Sequence, residues 1–437
     1  MTTKRRSRTL LAALAGVSLT LAACGQAENL ADQGGGDDGG DGGPVNLRFT
    51  WWGADARADL TEQVIARFEE QHPNITVTPE WTSWDSYWDR LATATAAGDA
   101  PDIIQMDESQ IAAYGSQGSL LDLETLDGLD LSGMSEDVLL TGEVDGTLYG
   151  APVGIAQHAL AYNPEMLQEA GIEVPDDTTW TWEDFYEIAG QVHSELGGDA
   201  YGIDYWSLQL ANLQIQARQR GEEVFNREDE NPVSRETIID FYETNQDLVD
   251  SGAVPPPTLQ TESIGVALEQ NPFATGRAAF TPLWHTQVQA YVDASGVEMG
   301  LLRMPASTPG EHHMVNKASM YWSIAQSTQH PEEAATFVNF MLNDEEAARI
   351  FGVERGVPAD PEIQEVIEPE LSPTGRNSVE FASDLQDEVV PPPQVTPSEA
   401  STFGDDFERI TGEVLFGDRT PGEAADELLG ILEGYQQ

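Results

Sequence analysis

The segment 46–106 alternates between strand-like and helix-like patterns, and this alternation constrains the fold more than any other feature of the chain. A β-rich run at 46–52 is followed by apolar residues at helical spacing over 54–71. The same succession continues with a strand at 75–81, a helix at 85–97 and a short buried-type strand at 102–106. Strands separated by helices indicate parallel pairing with right-handed crossovers. We therefore predict an α/β fold that begins with a parallel sheet.

Aromatic and acidic side chains follow the predicted ends of these strands. Ligands of open parallel sheets bind beyond the carboxyl ends of the strands, and Trp52, Trp84 and Asp107 fall at or just past those ends. Five of the ten tryptophans lie between residues 51 and 88. A tryptophan ring offers a flat apolar face to the C–H face of a sugar, and carboxylates or amides can take the hydroxyl groups. The pattern favours a sugar-type ligand, with strand packing as the competing explanation for each ring. Adjacent Trp51 and Trp52 must point to opposite faces of their strand.

The N-terminus has the features of an export signal. A basic head precedes an apolar stretch at 10–23, which ends in Leu21-Ala22-Ala23-Cys24 and is shorter than the ~20 residues that a spanning helix needs. The pattern resembles a bacterial lipoprotein signal, in which residues 1–23 are removed and Cys24 carries lipid. The Gly/Asp-rich segment 24–44 is predicted to be a disordered tether. An ordinary secretory signal is the alternative, and Arg5-Arg6 leaves twin-arginine export open.

Length, charge and cysteine content narrow the class of protein. The part of the chain after residue 44 is too long for one core and suits two lobes. Because Cys24 is the only cysteine, no intramolecular disulfide can form. The formal charge is −56 and becomes −60 once the signal removes Lys4, Arg5, Arg6 and Arg8. Nucleic acid is therefore excluded as a partner, because its phosphates would be repelled.

Several motifs in their order along the chain resemble the carbohydrate-uptake type of extracellular solute-binding protein, the family that includes maltose-binding protein. The resemblance covers residues 46 to about 360. Its main motifs are Trp51-Trp52-Gly53, Ala100-Pro101-Asp102-Ile103-Ile104-Gln105-Met106-Asp107, Val144-Asp145-Gly146-Thr147-Leu148-Tyr149-Gly150-Ala151-Pro152, Ala161-Tyr162-Asn163-Pro164, Thr181-Trp182-Glu183-Asp184, Gly276-Arg277-Ala278-Ala279-Phe280 and Arg355-Gly356-Val357-Pro358.

This resemblance implies a type II fold of two α/β lobes, each a mostly parallel sheet flanked by helices, joined by a hinge. The first lobe is expected at 45–154 plus 276–321 and the second at 155–275 plus 322–437. The hinge is expected near 152–154 and 319–323. No motif assigns a role to residues 207–270 or to the acidic, proline-rich piece 384–399.

The resemblance also implies where a ligand binds. Trp284 matches a stacking position after the Gly-Arg-Ala-Ala-Phe motif, and Tyr205-Trp206 match another. Together with the strand-end residues, the expected contacts are Trp52, Arg57, Trp84, Asp107, Gln157, His158, Tyr205, Trp206, Trp284, Tyr321, Trp322 and Arg355.

The charge of the ligand is the least determined property. A neutral sugar longer than one ring is expected, because the chain is so acidic. This expectation of a neutral ligand is weakened by three basic side chains, namely Arg57, Arg355 and Lys317. If two of them converge, an acidic sugar is the alternative, because arginine forks onto a carboxylate.

Enzyme signatures are missing from the sequence. It has no G-x-S-x-G, no H-E-x-x-H and no P-loop, and the doublet His312-His313 does not indicate a metal. We expect no catalytic residue, no cofactor and no metal. A glycosidase, which needs only two carboxylates, and a binding protein for a non-sugar solute are the alternatives. The expected partners are a carbohydrate, the permease subunits of an ABC transporter and the membrane, reached through lipid on Cys24. The expected protein is an extracytoplasmic monomer.

Overall fold

The computed structural model describes residues 43–53, 55–226, 230–264, 266, 268–400 and 402–435. Cys24, the predicted signal and almost all of the predicted tether lie outside these residues. None of the helices in these ranges combines the length and apolar character that a membrane span requires.

The described residues form short and medium-length strands. In chain order they are β1 (Val45–Trp52), β2 (Ile75–Thr82), β3 (Ile103–Met106), β4 (Glu143–Val144), β5 (Thr147–Leu148), β6 (Ala151–Pro152), β7 (Gly154–Ala156), β8 (His158–Tyr162), β9 (Tyr201–Ile203), β10 (Glu222–Glu223), β11 (Asn231–Pro232), β12 (Ala278–Trp284), β13 (Gly300–Leu302), β14 (Lys317–Ala318), β15 (Tyr321–Ile324) and β16 (Val357–Pro358).

Helices alternate with these strands and dominate the last third of the chain. They are α1 (Asp55–Gln71), α2 (Trp84–Ala96), α3 (Glu108–Ser116), α4 (Glu136–Leu140), α5 (Pro164–Glu169), α6 (Trp182–Leu196), α7 (Leu210–Arg218), α8 (Arg235–Ser251), α9 (Pro257–Glu262), α10 (Val288–Ser295), α11 (Pro331–Asn343), α12 (Glu345–Phe351), α13 (Pro361–Ile367), α14 (Pro373–Asp384), α15 (Phe403–Leu415) and α16 (Pro421–Tyr435).

The first sheet has the strand order β2-β1-β3-β15-β6. β1 pairs in parallel with β2 and β3, so the predicted strands at 46–106 and their parallel pairing are confirmed. β15 and β6 complete the sheet in antiparallel orientation. Pro79 is tolerated because β2 lies at the edge of the sheet. Helices α1 and α11 cover one face, where Phe337 meets Phe49 and Phe68 in a buried aromatic core.

The second sheet has the order β13-β8-β12-β9 and is mixed. Only its β12–β9 pair is parallel, because β12 and β13 run back along β8. The expectation of a mostly parallel sheet is therefore wrong here. Helix α6 packs on this sheet through Phe185 and begins after a capping box in which Thr181 and Asp184 satisfy each other's backbone N–H groups.

Strand pairing corrects the expected lobe boundaries. The expected first lobe includes β12 within residues 276–321, but β12 pairs with β8 in the second sheet. The expected second lobe includes residues 322–351, but β15 pairs with β3, and α11 and α12 pack in the first core. The chain rejoins the first sheet at β15, after it has formed the second sheet. A local motif can locate such a strand, but it does not determine which sheet the strand joins.

A small sheet of order β14-β7-β16 joins separate passages of the chain beside the expected hinge at 152–154. β7 stands between β6 of the first sheet and β8 of the second along the chain. Gly154 lacks room for a side chain, because a Cβ atom there would lie 2.7 Å from the carbonyl oxygen of Val357. Close backbone approach within this small sheet therefore explains that glycine.

The two segments without an assigned motif have structural roles. Helices α7, α8, α15 and α16 form a separate apolar cluster, which accounts for much of residues 207–270. Residues 389–400, which we name the proline-rich strap, connect α14 to this cluster. The strap also contacts the first sheet's side of the molecule, because Val395 packs near α3 and the Thr396 N–H donates to Glu108 Oε1 at 2.8 Å.

Candidate ligand-binding site

Three cavities lie where elements of the two sheets face each other, and we name each after one lining residue. The His158 cavity has a volume of ≈ 130 Å³, the Arg57 cavity ≈ 460 Å³ and the Gln157 cavity ≈ 510 Å³. The His158 and Arg57 cavities share Trp284 and Lys317, and the His158 and Gln157 cavities share Asn316. The cavities therefore meet along the segment 315–320, which carries the chain back to the first sheet.

Trp284, the predicted stacking residue, lies at the junction of the His158 and Arg57 cavities. It ends β12 directly opposite His158 in β8. Cross-strand partners share a face of the sheet, which brings the two ring centroids to 3.7 Å. The Lys317 ammonium lies 5.2 Å from the centroid of the Trp284 ring. The second sheet and strand β14 of the small sheet thus place a large ring, an imidazole and an ammonium at one point.

His158 is half-buried, and its two ring nitrogens are buried without hydrogen-bond partners among the described residues. Burial lowers the pKa of His158 to about 3, and the charges of Lys317 and Arg218 add to this effect. The ring is therefore neutral at physiological pH, with one nitrogen able to donate and the other able to accept. Buried polar groups are normally satisfied, so this ring, which belongs to a residue lining the cavity, has unused capacity for a hydrogen bond.

Gln157 faces the neighbouring cavity and is held from two sides. Its Nε2 donates to Asn316 Oδ1 at 2.8 Å, and its backbone N–H donates to His285 Nδ1 at 2.9 Å. Burial lowers the pKa of His285 to about 4, which keeps Nδ1 available as an acceptor. Gln157 Oε1 has no partner in the described structure. These hydrogen bonds hold the Gln157 side-chain amide in place between β7 and β8, with its Oε1 free to accept a hydrogen bond.

Arg57 and Arg355 converge on the Arg57 cavity from α1 and from the loop after α12. Both pair with Glu354, Arg57 through Nε at 2.7 Å and Arg355 through Nη1 at 3.3 Å. Arg355 is buried over the rings of Trp322 and Phe351. Burial lowers the pKa of Arg355 to about 9, so its guanidinium stays charged at neutral pH.

Tyr321 and Trp322, the predicted pair at the last crossover, are both fully buried in β15. The Tyr321 hydroxyl lies in the wall of the His158 cavity and donates to the carbonyl oxygen of Thr141 at 2.6 Å. Trp322 packs against Phe49 and beneath Arg355 in the first core. Trp322 is therefore corrected to a core residue, since successive residues of a strand face opposite sides and this ring points inward.

The predicted strand-end residues of the first sheet do not line these three cavities. Trp52 packs with Trp84 and Trp88 in an aromatic cluster beside α2, and Trp84 is 43% exposed. Asp107 accepts a hydrogen bond from the Ser109 N–H at 3.0 Å and so caps α3. Trp52, Trp84 and Asp107 therefore lie apart from Trp284, and local packing or capping accounts for their positions.

The predicted pair Tyr205-Trp206 is also separated from Trp284. Trp206 is fully buried beside Trp182 and Phe185, so it is corrected to a core residue of the second sheet. Tyr205 contacts Glu408 of α15, and burial raises the pKa of its hydroxyl. Sequence reasoning failed here because an aromatic pair after a strand is typical of both a core and a cleft.

Several cavity residues are missing from the contacts expected from the sequence, which consider Lys317 only as one of three cations that favour an acidic ligand if two of them converge. Lys317 pairs with Glu108 at 3.7 Å, and both line the His158 cavity with Arg218 and the proline-rich strap. The one available signal was that Lys317 is the only lysine outside the export signal. Glu108 and the strap come from distant parts of the chain, and no local pattern connects them.

Comparison with known proteins gives a consistent assignment. Residues 53–348 match the family described as bacterial extracellular solute-binding protein. A maltooligosaccharide ABC transporter solute-binding lipoprotein of Streptococcus pneumoniae serotype 4 is 20% identical over 375 residues, which cover 84% of each chain. A family 1 extracellular solute-binding protein from Alicyclobacillus acidocaldarius is 26% identical with a TM-score of 0.73, covering 90% of this chain and 99% of that one.

The fold recurs in more distant structures. A periplasmic oligogalacturonide binding protein from Yersinia enterocolitica has a TM-score of 0.73 at 23% identity, covering 90% of this chain and all of that one. The predicted type II two-lobe α/β fold is thereby confirmed. Because the family match spans more than half of the chain, the protein belongs to the bacterial extracellular solute-binding protein family.

Proposed function

We propose that the protein is the substrate-binding lipoprotein of an ABC sugar importer. It captures an oligosaccharide between its two sheets and delivers it to membrane permease subunits. The observation that carries the proposal is the position of Trp284, whose ring lies where two cavities between the sheets meet. Family membership, and the sugars named for relatives such as the maltooligosaccharide protein of S. pneumoniae, support the same function.

The chemistry of the cavities suits a sugar. The Trp284 ring provides an apolar face for the C–H groups of a pyranose. The free nitrogens of neutral His158 and the free oxygen of Gln157 provide a donor and acceptors for hydroxyl groups. A mixture of one large apolar face with a few placed polar groups is the general form of a small-ligand site.

The lobes are proposed to close on the ligand. The lining of the His158 cavity includes Glu108 from the first sheet's side and Trp284 from the second sheet. A ligand that contacts both sides binds the closed arrangement more tightly and so shifts the population towards it. The small sheet β14-β7-β16 is the proposed pivot, because its strands come from the passages between the sheets.

Anchoring at the membrane is the second part of the proposal. Lipid on Cys24 would hold the domain at the outer face of the cell membrane. The segment 25–44 is long enough to let it reorient, since a flexible chain of that length spans roughly 25 Å. The protein is proposed to act as a monomer and as a binding protein rather than an enzyme.

Calorimetry combined with product analysis tests this function. The domain without its signal and Cys24 is titrated with neutral and acidic oligosaccharides, and the sugars are then analysed for new reducing ends. Saturable heat with unchanged sugar is the expected result. New reducing ends would favour a glycosidase, and the absence of heat with every carbohydrate would overturn the proposal.

A further inference from the structure

We infer that the ligand is an acidic sugar, whose carboxylate is bound by Lys317 and Arg57 while a ring stacks on Trp284. This inference rests on the proposed function and names the ligand class that the same site selects. It replaces the neutral sugar expected from the sequence, because the basic side chains that qualified that expectation converge in the structure.

The charge of the site is opposite to that of the chain. The whole chain has 76 acidic and 20 basic residues. The two cavities that meet at Trp284 are lined by four basic side chains and two acidic ones, namely Arg57, Arg218, Lys317, Arg355 and Glu108, Glu354. Arg218 is neutralised by Glu223 at 2.7 Å, which leaves Arg57, Lys317 and Arg355 as the cations that can bind an acidic ligand.

Arg57 has a donor to spare. Its Nε binds Glu354, its Nη1 donates to the carbonyl oxygen of Trp52 at 3.1 Å, and its Nη2 makes no hydrogen bond to a described residue. Glu354 is shared with Arg355, so two guanidinium groups face one carboxylate. A second carboxylate at this point would complete the pairing, because guanidinium donors are arranged to bind carboxylate oxygens.

The Lys317 ammonium can exchange its ion pair with Glu108 for one with a ligand carboxylate. Its ammonium is 3.7 Å from Glu108 and 5.2 Å from the centroid of the Trp284 ring, and its side chain remains 32% exposed. An ammonium has three donors, and this one ion pair is long. A sugar ring on Trp284 would therefore carry any carboxylate within reach of Lys317.

The acidic surface does not prevent such binding. At physiological ionic strength, interactions between exposed charges are screened beyond about 8 Å. Charges that line a cavity are screened less, so the one positive charge that remains after Glu108 and Glu354 are set against Arg57, Arg355 and Lys317 outweighs distant carboxylates at the site. The surface charge slows the approach of an anion, and the cavity determines how tightly it is held.

A matched pair of ligands tests the inference. Oligogalacturonides are compared by calorimetry with the same oligosaccharides in fully methyl-esterified form, which keep the rings and lose the charge. We expect the acid to bind about tenfold more tightly than the ester, with an affinity that falls as salt rises. Lys317→Gln and Arg57→Gln should each weaken acid binding by about tenfold and leave ester binding nearly unchanged.

Arg349→Gln is the control variant, because Arg349 lies on the surface of α12 and pairs with Glu345 at 2.8 Å. It should change neither affinity. Tighter binding of the ester or of any neutral sugar, or an unchanged acid affinity in Lys317→Gln, would overturn the acidic class and leave the proposed function standing. If no carbohydrate of either class binds, the proposed function fails and this inference fails with it.

Discussion

The burial of Asp204 predicts how much the free energy of unfolding changes with pH. It comes directly after β9, is fully buried, and its backbone N–H donates to the carbonyl oxygen of Phe280 at 3.1 Å. Neither carboxylate oxygen makes a hydrogen bond of good geometry to a described residue. Burial raises the pKa of Asp204 from 3.8 to about 6, although Thr281 and Asn271 lie close enough to oppose this in part.

The sign of the pH effect follows from the raised pKa. Between pH 4 and 6 the folded protein keeps a proton on Asp204 that the unfolded chain has released, so the free energy of unfolding falls as pH rises. The difference between 3.8 and about 6 corresponds to about 3 kcal/mol in total. About half of it, roughly 1.4 kcal/mol, develops between pH 5 and 7.5, above the pI of ≈ 4.1.

Asp204→Asn should remove this cost, because the amide cannot ionise. We expect the free energy of unfolding of Asp204→Asn, measured relative to the wild type, to rise by about 1.4 kcal/mol from pH 5 to 7.5. Urea unfolding followed by circular dichroism measures this difference. Asp130→Asn is the control: Asp130 is exposed, and hydrogen bonds from Ser132 lower its pKa, so its effect should be constant over this range. A constant difference between Asp204→Asn and the wild type would refute the argument.

Other predictions concern binding, anchoring and motion. Trp284→Ala should weaken sugar binding by about tenfold, or ~1.4 kcal/mol, in calorimetry and leave the fold intact; native affinity would contradict the stacking role. Trp182→Ala should instead lower the free energy of unfolding by about 3 kcal/mol and leave affinity intact, because Trp182 packs on Trp206 and its Nε1 donates to Gln219 at 2.7 Å. Cys24→Ala should release the protein into the medium or block its processing, and normal membrane association would exclude the lipoprotein signal. Saturating sugar should reduce the radius of gyration in small-angle scattering, and an unchanged profile would exclude closure.

The first sheet could be predicted because its information is local. The period of apolar residues changes between 46–52 and 54–71, and β1 and α1 follow that change within two residues. Adjacent Trp51 and Trp52 do point to opposite faces, one into the core and the other towards the aromatic cluster at Trp84. Alternation along a strand requires this, whatever the rest of the chain does.

The remaining features depend on distant contacts. Sequence motifs located β12 and β15, but their sheets are determined by partners more than 100 residues away, in β8 and β3. Trp206 and Trp322 match motif positions equally well whether they are buried or face a ligand, and both are buried. Lys317 carried a compositional signal, as the only lysine after the export signal, but its meeting with Trp284 required the fold.

The binding site at Trp284 is tested best by a crystal structure of the domain with the oligosaccharide that gives the largest heat of binding. We expect one sugar ring to lie against Trp284, between the two sheets, with hydroxyl groups reaching His158 or Gln157. The claim would be contradicted by a sugar bound elsewhere, above all on the half-buried cluster formed by Trp52, Trp84 and Trp88, with the Trp284 cavities left unchanged.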